Sequence, residues 1–78
     1  MWEVLRNLNS EAVTQMAYNT GSNVLLVDFR RDGSRYAFLD VAPRLWTIFT
    51  AVAGIAGVSL GFVLNAALIQ RQLGFRVG

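Results

Sequence analysis

The sequence predicts a small α+β domain: a three-stranded antiparallel β-meander followed by apolar C-terminal helices, with a short helix at the N-terminus. Three observations carry this. Residues 12–39 alternate in polarity and are interrupted by clusters of turn-forming residues. Pro43 stands where a helix can begin, since its missing N–H costs nothing in the first turn. From Leu45 to Gln70 there is no charged residue. The 78 residues are expected to form one domain, with the helix over 1–9, the meander over 12–39 and the apolar helical half over 43–71.

Each element has its own warrant. Trp2, Leu5 and Leu8 recur at helical spacing, with Glu3, Arg6 and Asn7 elsewhere, which predicts a turn or two of amphipathic helix. Ala12 to Tyr18 reads as extended, and Asn19-Thr20-Gly21-Ser22-Asn23 reverses the chain. In the strand from Val24 to Arg30, Leu25, Val27 and Phe29 share one face and Val24, Leu26, Asp28 and Arg30 the other. Asp32-Gly33 suits a tight hairpin because glycine accepts positive φ. Arg35 to Leu39 returns as the third strand, with Tyr36 and Phe38 opposite the Leu25, Val27, Phe29 set. Asp40 is a candidate N-cap for the helix beginning near Pro43.

The uncharged run supports two readings. As one helix, Trp46 to Ile69 covers the roughly 30 Å of a bilayer core. Thr47, Thr50, Gly54, Gly57 and Gly61 would then form a small-residue stripe for a second helix. Alternatively Gly54 and Gly57 break the run into helices over about 43–53 and 59–70, the second capped by Ser59. In either case Asn65 must satisfy its amide, within the domain or across an interface.

Composition excludes much chemistry. Without cysteine or histidine there are no disulfides, thiolate nucleophiles, Ser-His-Asp triads or ordinary zinc sites. Asp28, Asp32 and Asp40 have no metal-loop spacing, Ser59 lacks an activating base, and no phosphate-binding glycine loop occurs. No catalytic residue, cofactor or metal is therefore expected. The start Met1-Trp2-Glu3 lacks the features of a signal peptide. All seven basic residues are arginine, and the net charge is +2. Arg30, Arg31 and Arg35 with Tyr36 could hold phosphate and stack a base, a possible nucleic-acid site; in the alternative, Tyr36 and Phe38 are simply core.

The stretch from Ala17-Tyr18 through Leu25-Leu26-Val27-Asp28-Phe29, Gly33, Tyr36-Ala37-Phe38 and Val41 resembles the KTSC domain, found at the C-terminus of some lysyl-tRNA synthetases. Ser59-x-Gly61, Phe62 and Asn65 match the second half of that pattern in spacing, so the resemblance spans about residues 12–70. Asn19, Phe38 and Pro43 depart from it conservatively, and the Gly54-Ile55-Ala56-Gly57-Val58 region is an apolar, glycine-rich insertion. The resemblance implies fold more than activity, although it brings with it a suggested role in RNA binding.

A chain this short buries only about 60% of its unfolded surface, so a self-associating structural module is the expected function. Its concrete form is a homo-oligomeric bacteriophage virion component, placing it in a virion or the cytoplasm. Phe49, Val52, Ile55, Val58, Phe62 and Leu64 are the expected interface residues. A single-pass membrane protein and an RNA- or DNA-binding module are the alternatives.

Overall fold

The computed structural model describes residues 1–6, 8–55, 59–69 and 74–78. Its strands are β1 (Trp2–Leu5), β2 (Val13–Asn19), β3 (Val24–Phe29), β4 (Arg35–Phe38) and β5 (Phe75–Arg76). They form one antiparallel sheet in the order β1-β2-β3-β4-β5. Helix α1 (Pro43–Ala53) and helix α2 (Leu60–Leu64), which continues as a π-helical turn over Asn65–Ile69, precede β5.

The sheet thus has five strands rather than three. The expected N-terminal helix over 1–9 is a strand instead, with Trp2 to Leu5 paired to Asn19 to Met16. A helix of nine residues is marginal alone, and pairing with β2 supplies the hydrogen bonds that outweigh the local periodicity. The expected meander is present as β2 to β4, with Leu25 opposite Phe38 and Val27 opposite Tyr36. Gly33 has φ +69° at the β3–β4 turn. In β2 the register shifts between Val13 and Gln15, and the Thr14 hydroxyl donates to the Asp28 carbonyl at 3.2 Å.

Helix α1 begins at Pro43, but Ala42 is its N-cap and Asp40 is not. Asp40 sits at φ 58° in the preceding turn. The helix stops after Ala53, with the Gly54 N–H on the Ala51 carbonyl at 3.2 Å. Ser59 then caps α2, its Oγ accepting from the Phe62 N–H at 3.1 Å. This overturns the continuous membrane span over 46–69. Among the described residues no helix is long and apolar enough to cross a membrane. The small-residue stripe has a different use at Gly61, where an added Cβ would lie 2.7 Å from Ala12 Cβ. Glycine lets α2 approach the segment entering β2, and Gly57 lies outside the described residues. Asn65 follows α2 as an exposed C-cap.

Both helices cover the same face of the sheet. Trp46 and Phe49 from α1, Leu60 and Leu64 from α2, and Leu68 from the π-helical turn meet Val13, Met16, Tyr18, Leu25, Val27 and Phe38. Tyr18 stacks on Trp46 with ring centroids 5.5 Å apart and an interplanar angle of 15°. The Tyr18 hydroxyl donates to the Val41 carbonyl at 2.6 Å, and the Asn23 amide oxygen is 3.0 Å away. Burial, with a smaller contribution from the Glu3 carboxylate, raises the Tyr18 pKa, so the phenol stays protonated as the donor it must be.

Replacing Tyr18→Phe is expected to lower unfolding free energy in urea by about 1–2 kcal/mol, through an orphaned buried carbonyl. Gly61→Ala is expected to destabilise by about 1–3 kcal/mol despite alanine's better helix propensity. Adding Ala12→Gly to the same chain should restore most of that loss by removing the clashing methyl.

Candidate functional site

Two surfaces contain the residues of interest. The first is a cleft of about 360 Å³ at the β3–β4 hairpin, whose described lining is Phe29, Arg31, Asp32, Ser34, Tyr36, Phe38 and Gly74. Phe29 and Tyr36 meet edge to face, with centroids 5.6 Å apart at 85°. The Ser34 hydroxyl donates to Asp32 Oδ1 at 2.6 Å and its N–H to the same oxygen at 3.0 Å. Those bonds hold the Asp32 carboxyl below its usual pKa, which makes it a weak base. The pair closes a turn rather than activating a nucleophile.

The second surface is the face of the sheet turned away from the helices. Strand register gathers its side chains into cross-strand rows. Val4, Ala17, Leu26, Ala37 and Phe75 make the central row, one residue from each strand. Trp2, Asn19 and Val24 make a second, which strand alternation extends to Leu39. Trp2, Val4, Leu39, Phe75 and Val77 are each 44–50% exposed. A third row is polar: Gln15, Asp28 and Arg35 stand side by side on β2, β3 and β4.

That polar row is internally satisfied. Arg35 grips Asp28 through Nε–Oδ1 at 2.6 Å and Nη2–Oδ2 at 3.0 Å, while Gln15 Nε2 donates to Oδ2 at 2.7 Å. The Arg35 hydrogen bond lowers the Asp28 pKa, burial opposes it, and Gln15 adds to the lowering. The Arg35 pKa is raised in return, chiefly by the same bond. A hollow of about 270 Å³ lies between this row and the apolar one, lined among others by Val4, Arg6, Ala17 and Leu26.

The fold disperses the candidate nucleic-acid residues. Arg35 lies on the open face, bound to Asp28. Arg30 donates to the Ser10 carbonyl at 3.0 Å and the Leu8 carbonyl at 2.9 Å, fastening the segment that enters β2. Only Arg31 and Tyr36 of the four line the cleft together. The candidate interface residues divide as well. Phe49 and Leu64 are buried in the chain's own core, because they fall on the sheet-facing sides of their helices. Val52 is half-buried against that core, Ile55 and Phe62 are exposed, and Val58 lies outside the described residues. Among the described residues no three carboxylates converge on a metal-sized site. Sequence reasoning missed the open sheet face, although Val24 and Leu26 were apolar at the positions opposite the core set.

Replacing Asp28→Asn is expected to cost at most about 1 kcal/mol at neutral pH, since Arg35 is 45% exposed. A carboxyl whose folded pKa is lowered stabilises above its unfolded value near about 4. The advantage is lost as pH falls through the lower folded value. Urea titrations of both chains should therefore differ at pH 7 and converge in acid.

No protein-family model matches the sequence, and no curated protein matches it. Among solved structures, the crystal structure of a KTSC domain protein from Yersinia pestis is similar, with TM-score 0.81 and 20% identity over 100% of both chains. The whole chain therefore shares its fold with a KTSC domain protein.

Proposed function

We propose that this protein is a non-enzymatic, self-associating structural module. The observation that supports this reading is its exposed apolar surface: Trp2, Val4, Leu39, Phe75 and Val77 are exposed together on the open face of the sheet, and Ile48, Ile55 and Phe62 separately on the helical side. Isolated exposed apolar residues are ordinary, but a contiguous set marks an interaction surface. The small core gives association a second role, because burying this surface adds to the stability that a short chain has difficulty reaching alone. Arg30 and Arg35 are engaged within the chain, which favours protein contact over phosphate binding.

Sedimentation equilibrium across micromolar to millimolar concentrations tests the reading. The expected result is a native mass that rises with concentration to a discrete oligomer. A monomer throughout that range would overturn it.

A further inference from the structure

We infer that the open face of the sheet pairs with the same face of a second copy, ridge into furrow. This rests on the self-associating reading above and goes on to assign the surface and the occupant.

The central row runs Val4, Ala17, Leu26, Ala37, Phe75 from one edge of the sheet to the other. Large side chains stand on β1, β3 and β5, and methyl groups on β2 and β4, so the face has ridges at its centre and edges with a furrow on each side. Such an alternating surface is its own complement. Turned about a two-fold axis parallel to the strands and placed between two of them, a second copy sets Leu26 over an alanine furrow and receives Leu26 in return. The hollow of about 270 Å³ beside Ala17 is one such furrow.

Charge agrees with this occupant. The apolar rows contain no charged residue, and the polar row presents a carboxylate already neutralised by Arg35 and Gln15. Arg6 lines the hollow beside Ala17, so it is the pairing that sets Leu26 over Ala37, with β1 overhanging the contact, that closes without stranding a charge, whereas a strongly acidic or basic partner would find little to bind. Area agrees too. With the copies offset by one strand, four strands about 4.8 Å apart and three rows about 7 Å apart give roughly 400 Å² per copy once side-chain width is included. The pair then buries about 800 Å², in the range of weak, transient contacts, which points to a reversible dimer. The helical side offers fewer large exposed apolar side chains among the described residues, namely Ile48, Ile55 and Phe62.

The test compares Leu26→Lys with Ile55→Asp in sedimentation equilibrium, with circular dichroism and a thermal melt to verify folding. Leu26→Lys should weaken dimerisation at least tenfold while the fold persists, and Ile55→Asp should leave it unchanged. If Leu26→Lys dimerises normally, or Ile55→Asp dissociates the dimer, this face is not the interface although self-association stands. If the native chain never associates, both readings fall. A monomer that instead adsorbs to phosphatidylcholine vesicles, and loses this with Leu26→Lys, would give the face to lipid and overturn the pairing. Should Leu26→Lys unfold, the cysteine-free sequence allows a second route. Leu26→Cys should yield a covalent dimer with a short bis-maleimide and Ile55→Cys should not; no cross-link at position 26 would overturn the inference.

Discussion

The stacking of Tyr18 on Trp46 is the contact on which the rest of the structure depends. It joins the C-terminal end of the second strand to the first helix, and polar groups fix it from both sides. The Trp46 indole N–H donates to Glu3 Oε1 at 2.9 Å, which brings in the edge strand β1. The Tyr18 hydroxyl reaches the Val41 carbonyl, which brings in the turn before α1, and the Val41 N–H returns to the Asn23 carbonyl at 2.8 Å. Two rings thus orient an edge strand, a hairpin turn and a helix start. Apolar burial supplies most of the free energy, and these directional bonds select one arrangement among the many a greasy core would tolerate.

Sealing only one face has a structural cost. Two short helices cover one side of the five-stranded sheet, and among the described residues no element covers the other. Antiparallel sheets commonly manage this by making the outer face polar. Here one cross-strand row does so, through Gln15, Asp28 and Arg35, while the central row is apolar across all five strands and the row of Trp2, Asn19, Val24 and Leu39 has a single polar member. The fold thus resembles half of a layered protein, with its second sheet missing.

The central meander was legible because its signals are local. Val24 to Phe29 alternates cleanly, Asp32-Gly33 specifies the turn, and Pro43 and Ser59 mark helix starts through chemistry contained in a few residues. Other features depend on distant partners. Trp2 to Leu5 has helical spacing and becomes a strand only because β2 offers an edge, while the two residues of β5 are too few to carry a pattern. Gly61 reads as a membrane-helix motif until Ala12 is seen beside it. The open face was hidden for a related reason. Apolar residues at alternate positions reveal a surface only when strand register shows which of them are neighbours, and Val4, Ala17, Leu26, Ala37 and Phe75 are spread along nearly the whole chain.

The placement of β5 beside β4 sets the order in which the molecule can be assembled. The first four strands are sequential neighbours, so each can dock on its predecessor as soon as the ribosome releases it. The fifth must wait for residues 39–74, and until then Arg35 to Phe38 present a bare edge of unpaired amides and carbonyls. Closing that long loop is entropically slow compared with the hairpins before it. Synthesis therefore includes an interval in which the nascent sheet is open to strand addition from a neighbouring chain, and the two-residue β5 then replaces that edge with a shorter one.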